Sequence, residues 1–265
     1  MSTEASLTIE QWIAFHLSPL EQGMLCVVLP MGVACAGLFL TRRLIHQHFL
    51  RQHHDMAGPF FNTMGSIYGI FLAFIVATTW QFYSATGSNV VQEARCLQSL
   101  HDDAAAFPQP FRGELRTLLR QYRDSLVSDG WKSLGKGRAN PETSALALKI
   151  AESYASHPVE TLAESTYFHE SVKNLETMNA LRASRIDDAS SGLIPFLWCI
   201  LIAGAVVTVG FSYLFAAQNF TTHAVMILLL TGLIGLTFYT IITLDFPFTG
   251  FVAISPDAFL RVKML

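Results

Sequence analysis

The residues able to do chemistry are scattered along this chain rather than gathered. Four histidines, His46, His48, His53 and His54, fall in the basic stretch TRRLIHQHFLRQHHDMAGP. Imidazole ligates metals and titrates near neutrality, so the group would suit a metal site or a pH sensor. A solvated or headgroup-facing loop accounts for it more cheaply. His101-Asp102-Asp103 and His169-Glu170 set a base beside acids, as a metal site or a proton relay requires, and each also fits a solvated helix face. Cys26, Cys35, Cys96 and Cys199 have no C-x-x-C spacing, and three of them lie in apolar runs. They read as small buried hydrophobes rather than as a disulfide framework or a zinc site. No G-x-S-x-G, H-E-x-x-H or phosphate-binding loop occurs, and the serines, histidines and aspartates lack motif context. We therefore expect no catalytic residue, no metal and no cofactor, and the chain does not read as an enzyme.

Chemistry of another kind is written into 62–100, NTMGSIYGIFLAFIVATTWQFYSATGSNVVQEARCLQSL. At helical spacing, Asn62, Ser66, Gly69, Ala73, Trp80 and Ser84 share one side, and Ile67, Phe71, Phe74, Thr78 and Phe82 the other. Asn62, Ser66 and Gln81 could offer polar groups to a permeating ion. Rings of Ile67, Phe71 or Phe74 could gate by dewetting. The pore-lining or gate candidates are thus Asn62, Ser66, Ile67, Gly69, Phe71, Ala73, Phe74 and Gln81. Gly65, Gly69, Ala73 and Ala77 form a small-x-x-x-small ladder, which lets helix backbones approach closely in lipid. That ladder serves either another span of the same subunit or the surroundings of a central pore. No charge within 60–83 would select the sign of an ion. Glu93 and Asp245 could make acidic rings at an entrance. Against this, Glu93 could pair with Arg182 or Arg185, and Asp245 could cap a helix and anchor it at the interface.

The elements that must position these residues follow from composition. The chain has 265 residues, 51% hydrophobic and only 14% charged, against about 25% charged in average usage. A net charge of -3 gives no reason to expect nucleic acid as a partner. No basic region precedes the first apolar run, so no cleaved signal peptide is expected. Residues 1–22 read as an amphipathic interfacial segment around Ile9, Trp12, Ile13 and Phe15. Apolar spans are expected at 23–40, 60–83, 193–216 and 224–244. Between the second and third, 84–191 reads as a soluble bundle. Its first helix continues span two and breaks at Phe107-Pro108-Gln109-Pro110. A second helix runs from Phe111 to near Gly130, a third over 141–156 and a fourth over 159–188. No period-2 pattern suggests a strand. In 245–265, Pro247 and Gly250 force a turn, and Ser255-Pro256-Asp257 reads as a cap, a first-turn proline and a first-turn acid before a short helix. The expected fold is an all-α membrane protein with four transmembrane helices plus a helical-bundle soluble domain inserted between spans two and three. The domains are 1–22, 23–83, 84–191, 192–244 and 245–265.

Two stretches carry a family resemblance. Gly65-Ser66-Ile67-Tyr68-Gly69-Ile70-Phe71-Leu72-Ala73-Phe74, followed by Trp80, Tyr83, Ala85, Val90 and Glu93-Ala94, resembles the core of bacterial multi-pass proteins of the bestrophin-like family. Leu244-Asp245-Phe246-Pro247-Phe248-Thr249-Gly250, with Val252, Ser255-Pro256 and Phe259, resembles their terminal signature, with Phe246 where the usual form has a basic residue. The resemblance implies a distant kinship with bestrophins, homo-oligomeric anion channels with four spans per subunit and a helical cytosolic domain. It also implies a bacterial cytoplasmic membrane. The charge count points the other way on sidedness. Arg42, Arg43 and Arg51 follow span one while the amino-terminal tail has no Lys or Arg, which favours an external domain; Arg95, Arg182, Arg185, Arg261 and Lys263 weigh against it. The expected function is a homo-oligomeric ion channel with span two lining a central pore. The expected partners are the lipid bilayer, inorganic ions and further copies of the chain. The alternative is a membrane-embedded sensor or scaffold whose soluble domain binds a ligand or partner. A secondary transporter fits less well, because the spans show no clear repeat and carry no mid-membrane charge.

Overall fold

A computed structural model describes residues 8–44, 54–214 and 219–264, and among them every regular element is helical. In chain order these are α1 (Ile9–His16), α2 (Pro19–Gly23), a π turn (Met24–Val28), α3 (Leu29–Leu44) and α4 (His54–Asp103). After a 3-10 turn (Ala104–Ala106) come α5 (Phe111–Ser125), a second π turn (Leu126–Gly130), α6 (Trp131–Leu134), α7 (Pro141–Ser156) and α8 (Leu162–Ser190). The last are α9 (Pro195–Ser212), α10 (Phe220–Asp245) and α11 (Asp257–Leu260). Four helical runs are long and apolar enough to cross a membrane: Pro19–Leu44, Gly58–Ala106, Glu164–Ser212 and Phe220–Asp245. The chain divides into two compact units.

The first unit takes Met1–Gln81 and Gly192–Asp245. Ser18 caps α2 in a reciprocal box with Glu21, and Pro19 sits at the first helical position, where its missing N–H costs nothing. Pro30 cannot donate to the Cys26 carbonyl, and the wider π turn lies where the ladder is broken. That turn and α3 lie along α10. Gly235 makes the approach close: a β-carbon there would collide with the Cys26 carbonyl and the Val27 backbone. Gly204 on α9 likewise leaves room for the ring of Tyr68, whose hydroxyl donates to the Leu201 carbonyl at 2.8 Å. Tyr68, Leu72, Ile75, Leu201, Ile234 and Ile241 form the apolar centre of this unit.

The second unit takes Phe82–Ser191 and Phe246–Leu265. Its core resembles that of a water-soluble bundle. Leu97 and Leu100 of α4, Leu115, Leu119 and Tyr122 of α5, Ile150 of α7 and Met178 of α8 are fully buried together. The tail belongs to this core: Phe248, Phe259 and Val262 pack into it. Thr161 caps α8 through Glu164 N–H, so that helix starts three residues later than the sequence pattern suggested. α11 differs from expectation at its cap. Ser255 donates its hydroxyl to the Asp257 carboxylate at 2.7 Å, and Pro256 occupies the cap position.

Candidate functional site

The residue types along α4 change what they touch as the helix proceeds. Tyr68, Leu72, Ile75 and Thr79 are buried at intervals of three and four, and this stripe faces the unit's own interior. The opposite side is exposed. Asn62, Ser66, Gly69, Ala73 and Ala77 all lie on it, as do Trp80 and Gln81. A β-carbon added at Gly65 or Gly69 would find nothing within 4 Å. Among the described residues, the ladder of small residues therefore meets no neighbouring side chain at these two glycines. The close approaches inside the unit fall instead to Gly37, Gly204 and Gly235.

The bulky face divides. Ile67 and Phe74 are 65% and 63% exposed. Phe71, Thr78 and Phe82 are half-buried, and Phe71 packs against the Tyr68 cluster. The eight candidates on this helix thus fall together on its outward half, except Phe71, which is turned partly inward.

The two acidic candidates sit in the pairings that stood against entrance rings. Glu93 is fully buried in the second unit. Its carboxylate accepts from Arg185 Nε at 2.7 Å, from a second Arg185 nitrogen at 3.0 Å, and from the Tyr122 hydroxyl at 2.9 Å. Arg185 also sits over the Trp131 ring, 5.7 Å from its centre. Burial opposes the Arg185 charge, yet the Glu93 carboxylate and its hydrogen bonds hold the guanidinium above its ordinary pKa. Burial and the same carboxylate push the Tyr122 hydroxyl up. Both Glu93 oxygens are engaged, so none is left for an ion at an entrance. The neighbouring Arg182 bonds Ser144 at 2.7 Å rather than Glu93. Asp245 is also buried and accepts the Leu193 N–H at 2.6 Å, which ties the end of α10 to the segment that opens α9.

The histidines divide as well. His46, His48 and His53 lie outside the described residues, and His54 opens α4. His169 and Glu170 are exposed on α8, a solvated face. His101 is buried, and among the described residues neither ring nitrogen has a hydrogen-bond partner. Its Nδ1 stands 3.7 Å from Asp102, too far for a hydrogen bond. Burial first, and then the charges of Arg116 and Arg120, lower its pKa despite Asp102.

Sequence reasoning passed over three polar contacts. His223 links two elements of the first unit, with Nε2 3.0 Å from the Ser212 carbonyl and Nδ1 3.2 Å from Arg42. Tyr83 donates to the Val252 carbonyl at 2.6 Å. Thr86 donates to Asp188 at 2.8 Å, while burial raises the Asp188 pKa. Lone polar residues in apolar or amphipathic runs were the available signal, but nothing local named their partners.

Comparison with known proteins agrees with the architecture. The model of the Bestrophin-like domain matches residues 28–259, which takes in most of the first span-length run, the whole of the other three and most of the second unit. No curated protein and no solved structure matches the chain. With that one domain matched over most of its length, the chain belongs to the bestrophin-like family of multi-pass membrane proteins.

Proposed function

We propose that the chain is one subunit of a homo-oligomeric ion channel in a bacterial cytoplasmic membrane. The outward half of α4 meets its copies and lines the central pore. The single observation that carries this reading is the exposed stripe of Asn62, Ser66, Gly69, Ala73 and Ala77 in an apolar, span-length helix. Asn and Ser are costly against acyl chains, and small residues give up contact area there. Both are at home where helices meet closely or water enters. Among the described residues nothing lies within 4 Å of a β-carbon at Gly65 or Gly69, which leaves room for such a meeting.

The family supports the same reading, since kinship with bestrophins points to anions as the permeating species. The protein's own groups at the pore would be the Asn62 and Ser66 side chains and the Gln81 amide, which can bond an ion of either sign without a fixed charge. Ile67 and Phe74, at the edge of the outward half, supply an apolar constriction able to gate by dewetting. The second unit stands outside the bilayer as the soluble domain inserted between spans two and three, closed by the tail.

The test is flux through purified protein in liposomes, with the oligomer size measured in parallel. We expect anion flux in the unmodified protein. Ala73→Trp, which fills the stripe, should abolish flux while leaving the subunit folded. Normal oligomers with no flux at any pH or calcium concentration would remove the channel reading and leave the sensor or scaffold.

A further inference from the structure

The segment after α10 closes on itself. Ile254 N–H donates to the Pro247 carbonyl at 2.8 Å, and Thr249 N–H to the Phe246 carbonyl at 3.1 Å. Gly250 takes a φ of 78°, a left-handed conformation that a side chain would resist. Phe246 and Phe248 are buried beneath the turn, and the Trp131 indole donates to the Ile254 carbonyl at 2.8 Å. On this fixed base the tip faces outward. Phe251 is 72% exposed and Val252 45%. A loose loop could tuck a phenyl ring away, but a turn pinned by these bonds holds it out. These two apolar side chains are thus held out where another surface can cover them.

Two observations say what it meets. Phe251 comes six residues after Asp245, the last residue of the span-length α10. The tip is also held at a defined point on α4, where the Tyr83 hydroxyl donates to the Val252 carbonyl at 2.6 Å. Tyr83 belongs with Trp80 and Phe82 to the aromatic cluster that closes the apolar part of α4, and Trp80 is itself largely exposed. Trp and Tyr gather at the membrane–water boundary because each joins an apolar ring to a polar N–H or O–H.

We propose that the turn from Gly250 to Val252 is a membrane-interface anchor, with Phe251 and Val252 seated at the boundary between lipid headgroups and acyl chains. The occupant is the bilayer itself. Through the Tyr83–Val252 bond, the anchor ties the boundary to α4 at the point where its apolar part ends. The proposal rests on the reading that the second unit stands outside the bilayer.

The test is a nitroxide at Phe251→Cys in a background of Cys26→Ala, Cys35→Ala, Cys96→Ala and Cys199→Ala. The protein is reconstituted in vesicles of phosphatidylcholine and phosphatidylglycerol. A second label at Glu152→Cys, an exposed position on α7, reports the location of the unit. We expect the label at 251 to collide several-fold more often with oxygen than with a water-soluble nickel chelate, and the label at 152 to do the reverse. Chelate dominating at 251 would overturn the anchor. Low collision with both reagents at 251, with spin–spin broadening, would overturn it in favour of a second copy of the chain on this tip. Oxygen dominating at 152 would overturn the reading of the unit as lying outside the bilayer, and the anchor with it.

Discussion

The first unit closes by removing side chains. Gly235 lets the π turn of span one lie on α10, and Gly204 admits the Tyr68 ring against α9. The second unit closes by inserting them. A fully buried glutamate, an arginine and a tyrosine occupy its centre, surrounded by leucines from four helices. With the second unit outside the bilayer, as we propose, the difference follows from solvent. Acyl chains are as apolar as leucine, so helices in lipid gain from close backbone approach rather than from burying apolar area. A unit built against water gains from area and can bury one ion pair only if every polar atom is satisfied.

The largest expected effect breaks the second unit at that point. Glu93→Ala leaves the Arg185 charge buried with no carboxylate, and removal of one partner of such a pair costs about 3–5 kcal/mol. Tyr122 loses the acceptor of its hydroxyl at the same time. Chemical denaturation of the purified protein in detergent, followed by emission from Trp131 in a Trp12→Phe, Trp80→Phe and Trp198→Phe background, should show an early transition. An unchanged midpoint would mean that the network adds nothing to the fold.

The matching test of the first unit is Gly235→Ala. The added methyl meets backbone atoms of Cys26 and Val27, which cannot swing aside as a side chain end can. Overpacking of this kind costs about 1–3 kcal/mol. Gly69→Ala is the control, because its methyl enters open space on the protomer. It should leave subunit stability nearly unchanged and weaken assembly, read as a shift to smaller particles in size-exclusion chromatography. Equal loss of subunit stability in both variants would erase the distinction between glycines used inside the subunit and those left for its copies.

Much of this contrast could be read in the sequence and some could not. The apolar runs, the breaks at Pro108 and Pro110, and the helix opened by Asn140 and Pro141 follow from local rules, and the structure has helices there. Which face of α4 turned inward was not local information. Tyr68 and Phe71 are both bulky, and only the presence of Gly204 across from Tyr68 decides between them. Glu93 has the same limit. A lone acid beyond a span reads equally well as an entrance ring or a core pair, and Arg185 is 92 residues away along the chain. The tail has a related limit. Phe248, Phe259 and Val262 are spaced as a turn and a short helix, and nothing in that spacing says which core they complete.

Two buried histidines carry the comparison to its smallest expected effect. His223 in the first unit has both ring nitrogens engaged, by Arg42 and by the Ser212 carbonyl. His101 in the second has neither engaged among the described residues, and it faces the charges of Arg116 and Arg120 on α5, with Asp102 beside it on its own helix. Because burial lowers the pKa of His101 in the fold, the unfolded chain binds the proton first as acid is added. The stability gained by keeping this ring neutral is complete above the unfolded value of about 6.5 and is lost as pH falls below it toward the folded value. His101→Gln removes the titration. Its denaturation midpoint should vary less between pH 7 and pH 5 than that of the unmodified protein. Equal pH dependence in the two would show that His101 does not set it; Asp103 and Asp188, whose pKa values burial raises, take up protons first in the fold and so oppose a loss of stability as pH falls.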